Sequence, residues 1–145
     1  MKITKAETAG FCFGVNRAVN MVYDLLDSGK QVCTLGPIIH NPQLVAELEG
    51  RGVRIVSSPE EVKEGETLVI RSHGVEKSVY DDACNLGVDV ADATCKFVKK
   101  IHKIVAENSA KGAVTIIAGD RDHQEVKGII GHCLGEYFVV ASEEE

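Results

Sequence analysis

Thr67-Leu-Val-Ile-Arg-Ser-His-Gly-Val-Glu-Lys77 runs from a β-branched apolar stretch, through a Ser-His-Gly turn, into a segment whose apolar residues recur at helical spacing. A short apolar run ended by a turn reads as a buried strand, and a helix directly after it reads as half of a βαβ unit. The same grammar recurs outward in both directions. Strands are predicted at 2–6, 31–35, 53–56, 67–71, 88–91, 114–118 and 137–141, most of them buried. Helices are predicted at 15–27, 42–49, 76–86, 95–110 and 123–130, with Pro42 suited to a first turn and Gly50, Gly87 and Gly112 to helix ends. This alternation specifies an α/β fold of parallel βαβ units with right-handed crossovers.

Cys12, His40, His73, Cys95 and His123 each follow one of the predicted strands. Ligands bind at the carboxyl ends of strands in open α/β sheets, so sulfur and imidazole recurring there point to one shared, metal-centred pocket. Any boundary between units falls near residues 92–95, giving a first α/β unit over 1–94 and the start of a second over 95–145. The final Ala-Ser-Glu-Glu-Glu resembles a helix start, with Ser142 placed to cap it, which suggests a chain that continues.

With 145 residues and 44% hydrophobic content, the chain has enough apolar material for one sizeable core or part of a larger one. A net charge of −6 gives no general attraction to nucleic acid or anionic membrane, so an anion site must be local. No apolar run approaches the roughly 20 residues of a membrane span, and the polar first residues lack the apolar core of a secretory signal. A cytoplasmic protein is expected. Five cysteines, an odd number without tight spacing, fit reduced thiols better than a disulfide framework.

Two cysteine motifs share a design. In Ala9-Gly-Phe-Cys-Phe-Gly-Val-Asn16, Gly10 and Gly14 permit tight backbone angles and close approach, and the following helix start favours a thiolate. Phe11 and Phe13 are expected to keep water away. In Asp89-Val-Ala-Asp-Ala-Thr-Cys95, Asp92 or Thr94 is expected to cap the long helix and leave amide donors beside the sulfur. The competing reading is that each cysteine simply packs in its turn. Cys33 in a strand and Cys84 in a helix read as core, Cys133 has no clear place, and His102, beside Lys99, Lys100 and Lys103, reads as part of a solvated face.

The histidine motifs are Gly36-Pro-Ile-Ile-His-Asn-Pro42, Arg71-Ser-His-Gly-Val75 and Asp120-Arg-Asp-His-Gln-Glu-Val126. Imidazoles donate to phosphate oxygens and change charge near neutral pH, so three converging ones can bind an anion in an acidic chain. Glu125 suits proton delivery if its surroundings are dry, and otherwise a helix-dipole acid.

Taken in order, Gly10-Phe-Cys-Phe-Gly-Val, Ile39-His-Asn-Pro, Ser72-His-Gly-Val, Asp92-Ala-Thr-Cys and His123-Gln-Glu-Val resemble the 4-hydroxy-3-methylbut-2-enyl diphosphate reductase family, also called IspH or LytB. The resemblance spans nearly all of this chain but only about the N-terminal half of a typical member, and implies part of a multi-domain fold. It implies an oxygen-sensitive four-iron four-sulfur cluster that reductively removes an allylic hydroxyl, yielding isopentenyl and dimethylallyl diphosphates in the non-mevalonate isoprenoid route. By motif, Cys12 and Cys95 resemble two of three cysteine ligands, and His40, His73 and His123 the substrate-binding histidines. Glu125 resembles the proton donor. An external electron carrier such as a ferredoxin or flavodoxin must dock. The third cysteine and the Ser/Asn residues of the diphosphate site are expected outside these 145 residues, so this piece alone should hold a cluster poorly. Where the family usually has Pro, this chain has Lys96 and Gln124, which bears on loop stiffness. Readings from other classes are a zinc- or cysteine-dependent hydrolase and a non-catalytic diphosphate-binding module.

Overall fold

Two strands set the frame. Gln31–Leu35 (β1) and Glu66–Ile70 (β3) lie side by side in parallel, Cys33 facing Leu68, and nearly every residue in them is buried. They belong to a computed structural model that describes residues 2–7 and 9–142. Arg54–Val56 (β2) flanks β1 and Asp89–Asp92 (β4) flanks β3, giving a parallel sheet ordered β2-β1-β3-β4. The connection from β1 leads to one side and the connection from β2 crosses back to the other. Chain direction across the sheet therefore reverses between β1 and β3, where a crevice opens at the carboxyl ends of the strands.

Helices Phe13–Asp27 (α1) and Pro42–Gly50 (α2) cover one face, and Lys77–Asn85 (α3) covers the other. Ala18, Val19 and Val22 of α1 pack with Val32, Val69 and Leu48, while Leu68, Ile70, Cys33 and Val56 point the other way, against Val79 and Tyr80. Cover on both faces explains the continuous apolar runs of β1 and β3, since neither alternate set of side chains meets water. Each such aliphatic side chain contributes roughly 1.5–3 kcal/mol by burial.

The rest of the described chain is helix Lys96–Ser109 (α4), strand Thr115–Ala118 (β5), helix Gln124–Gly131 (α5) and strand Tyr137–Val140 (β6). β5 and β6 form a separate parallel pair. α4 packs on α5, and α5 on α3.

Several expectations need correction. Residues 2–6 form no strand: Ile3, the one large apolar side chain among them, is 81% exposed and has no partner strand. Cys12 therefore follows irregular chain, unlike the other four. β5 and β6 are only partly buried. A short 3-10 turn at Pro59–Glu61 had no periodic signal. Residues 143–145 of the expected final helix lie outside the described residues.

Candidate functional site

Four of the expected residues sit at carboxyl ends of strands. His40 lies in the loop after β1, His73 in the turn after β3, Cys95 between β4 and α4, and His123 between β5 and α5. Cys12 reaches the same region from α1. It is the N-cap residue of α1, as Cys95 is of α4, and neither sulfur caps its own helix. Each thiol thus lies at the positive end of a helix dipole. The two helix starts abut: a Cβ at Gly14 would stand 3.0 Å from the Cys95 sulfur. Gly14 is helical and buried, so its value here is closeness to that sulfur.

Arg17 holds this junction. From α1 its Nη1 donates to the Thr94 carbonyl at 3.3 Å and its Nη2 to the Asp92 carbonyl at 3.4 Å. Neither Asp92 nor Thr94 caps α4 as expected. Asp92 instead accepts from the Thr94 amide at 2.9 Å and pairs with Lys99 at 2.6 Å. Although its burial opposes ionisation, these partners hold its carboxyl below the usual range. Phe11 and Phe13 do not shut out water, Phe13 being 60% exposed with the Lys96 ammonium over its ring.

The imidazoles meet at the reversal point of the sheet. His40 and His73 stack with ring centres 6.0 Å apart and planes 10° apart. His40 is exposed and carried by the buried Ile38 and Ile39, whereas His73 is half-buried with Nδ1 lacking a partner. Burial first, then the charges of Arg71, His40 and His123, push the His73 pKa down to about 4, so it is neutral at pH 7. His123 is the N-cap of α5, and its Nδ1 accepts from the Glu125 amide at 3.2 Å. That bond keeps Glu125, half-buried in the first helical turn, beside the His123 ring. Gln124, at the position where the resembled family usually has proline, accepts from Arg71 at 2.9 Å and so ties α5 to the His73 turn.

His102 is not on a solvated face. It is 5% exposed and stacks on His132 at 4.0 Å. A Cβ on Gly74 would come within 2.9 Å of its Cε1, and one on Gly128 within 3.2 Å of its Nε2. It therefore wedges between the turn carrying His73 and the helix behind His123. Arg17, Arg71 and His102 are the site-supporting residues that pattern reading missed.

The other cysteines separate clearly. Cys33 is in the core as expected, and burial raises its thiol pKa to about 11. Cys84 is exposed on α3, contrary to expectation. Cys133 stands beside Thr115, at the opposite end of β5 from the His123 loop. Among the described residues no group of three or more His, Cys, Asp or Glu is arranged to hold a metal ion. Iron–sulfur clusters take Cys thiolates, and Cys12 and Cys95, placed at helix starts with sulfurs that make no hydrogen bond among the described residues, are of the kind that such a cluster takes.

The profile of the family described as LytB protein matches residues 3–145. The chain belongs to the LytB family. It is 49% identical over 149 residues to the 4-hydroxy-3-methylbut-2-enyl diphosphate reductase of Thermoanaerobacter sp. (strain X514), covering all of this chain and 52% of the relative. It is 46% identical over 145 residues to the reductase of the same name from Geobacter sulfurreducens. A solved structure of (E)-4-hydroxy-3-methyl-but-2-enyl diphosphate reductase, described as the terminal enzyme of the non-mevalonate pathway, superposes with a TM-score of 0.83 at 44% identity. That match covers 96% of this chain and 50% of the other. The Plasmodium falciparum E-1-hydroxy-2-methyl-but-2-enyl-4-diphosphate reductase gives 0.89 at 26% identity, covering 95% and 44%. This LytB chain thus spans about half the length of the relatives it matches. No described helix is long and apolar enough to cross a membrane.

Proposed function

We propose that this chain supplies the imidazole and two-thiolate part of a 4-hydroxy-3-methylbut-2-enyl diphosphate reductase acting in the non-mevalonate isoprenoid pathway. The observation that carries the reading is the meeting of the His40–His73 stack, the His123–Glu125 helix start and the Cys95–Gly14 contact around one sheet end.

In this reading Cys12 and Cys95 would be two of the thiolate ligands of a four-iron four-sulfur cluster. When bound, the cluster supplies electrons and Lewis acidity for breaking the allylic carbon–oxygen bond. His40, His73 and His123 donate hydrogen bonds to the diphosphate and orient it. A neutral His73 can give one such bond without first losing solvation of a charge, and an anion beside it would raise its proton affinity. Glu125 delivers a proton to the departing hydroxyl, which otherwise leaves as a poor leaving group. The net change takes two electrons and two protons, releases water, and yields isopentenyl or dimethylallyl diphosphate. The electrons come from an external carrier such as a ferredoxin or flavodoxin, and the expected compartment is the cytoplasm.

The test separates binding from redox chemistry. The substrate diphosphate is titrated against the iron-free chain by NMR, with H40Q, H123Q and C12S compared. The two histidine substitutions should each weaken binding about tenfold, while C12S leaves it unchanged and lowers iron uptake during anaerobic reconstitution. Diphosphate binding indifferent to both histidines would overturn the reading.

A further inference from the structure

A cavity of about 410 Å³ opens beyond the carboxyl ends of β1, β2 and β3, lined by Gly36, Ser57, Arg71, Glu76, Gln124 and Lys127 among others. Its distinctive member is Arg71. In a chain with 22 acidic residues, Arg51 and Arg54 each end on a carboxylate, at 2.6 and 2.7 Å. Arg71 has no such partner among the described residues. Its Nη2 bonds the neutral Gln124 amide oxygen at 2.9 Å, and its Nε is buried without an acceptor. The guanidinium presses so closely on Gly36 that a Cβ there would overlap Nη1, and Gly36 itself has φ +67°, a backbone state only glycine adopts cheaply.

A partly desolvated cation offering five donors to one neutral acceptor is poorly compensated. A bound anion would supply the missing charge and the missing acceptors. The surroundings suit one. Lys127 lines the same cavity, and its bond to Asp122, 3.2 Å long and with the acid 90% exposed, is of the solvent-screened kind that costs little to give up. The Ser57 hydroxyl adds a donor. Glu76 is the one acid lining the cavity and it is exposed, leaving two cations against one carboxylate.

We infer that this cavity is an oxyanion subsite, separate from the imidazole cluster, that takes a phosphate group through the forked Arg71 donors with Lys127 and Ser57. The inference goes beyond the reductase reading, because it concerns residues to which that reading gives no role. It also couples to that site. Arg71 lies two residues before His73, and a phosphate on Arg71 removes a positive charge that opposes protonation of the His73 ring.

Inorganic phosphate, titrated into the chain by NMR, is the probe. Saturable shifts at the Gly36, Arg71, Gln124 and Lys127 amides are expected. R71Q should weaken them about tenfold or more, as loss of a charged hydrogen-bond donor does, and K127M should weaken them less. H40Q should leave them unchanged, which separates this subsite from the imidazole cluster whatever becomes of the reductase reading. The His73 ring should also titrate at higher pH with phosphate bound, and R71Q should abolish that difference. If R71Q fails to fold, R71K and K127M carry the test. Unaltered phosphate affinity in the folded Arg71 variants would make Arg71 a structural residue and overturn the inference. So would shifts confined to His40, His73 and His123, or an adventitious ion only, seen as shifts that never saturate.

Discussion

His102 shows how one side chain can be misread and why. Lys99, Lys100 and Lys103 give its neighbourhood a polar look, yet Val98, His102, Val105 and Ser109 are all buried on one stripe of α4. The spacing was visible in the sequence; the imidazole hid it by counting as polar. Its burial has a measurable consequence. His73 and His102 both have pKa values near 4, each chiefly through burial, against an ordinary 6.5. On acidification the unfolded chain takes up protons first, so stability is intact above about pH 6.5 and is lost as pH falls toward 4. At most about 1.4 kcal/mol per pH unit is lost for each ring, less for the partly open His73. Urea unfolding at pH 7 and pH 5 should differ by about 2–3 kcal/mol, and H102Q should remove roughly half of that difference. Gly74 gives a second expectation. Its φ of +70° and the approach of His102 and Thr94 to within 2.9 and 3.0 Å of an added Cβ forbid a side chain. Gly74→Ala should cost about 2–3 kcal/mol in the same assay, far more than a surface change. Cysteine and histidine were legible because their motifs repeat; Arg17 and Arg71 are single basic residues in apolar surroundings, where no periodicity marks them.

At the scale of elements, strands and helices with strong patterns came out as read, and the failures share a cause. Residues 2–6 have the alternation of a strand but only one sizeable apolar side chain, and pairing needs a neighbour that the described fold does not give them. Sequence periodicity reports what a segment could bury, whereas the presence of a partner decides whether it does. Helix starts were legible to within a residue or two, with α2 the clearest. Asn41 caps it by accepting from the Leu44 amide at 3.1 Å, and Pro42 fills the first turn. Asn41→Ala should cost about 1 kcal/mol in thermal or urea unfolding. Because Asn41 directly follows His40, the same change should also broaden the His40 ring signals in NMR while leaving those of His123 sharp.

For the whole molecule, the parallel βαβ character of the main sheet followed from alternation, but neither its order β2-β1-β3-β4 nor the separate β5–β6 pair did, since nothing in a strand's own residues says which neighbour or which sheet it joins. That pair leaves Ile116 and Phe138, neighbours in register, 72% and 51% exposed, and Phe97, Ile101 and Ile104 form an exposed apolar row on α4. Apolar surface of this extent favours association. Light scattering of the isolated chain should show concentration-dependent self-association, and the double substitution I116T/F138T should reduce it with little change in unfolding midpoint; equal scattering from both proteins would exclude this face as the cause. The stacked imidazoles sit differently in the architecture. His40 and His73 sit in loops, five residues beyond the end of β1 and three beyond the end of β3, so the ladder between those strands brings the two loops side by side while the loop backbone sets the gap between the rings. Cys12 and His123 are instead the N-cap residues of α1 and α5. Substitutions within the two strands should therefore leave the rings paired, whereas a change in either loop, such as Asn41→Ala beside His40, should alter the interval between them.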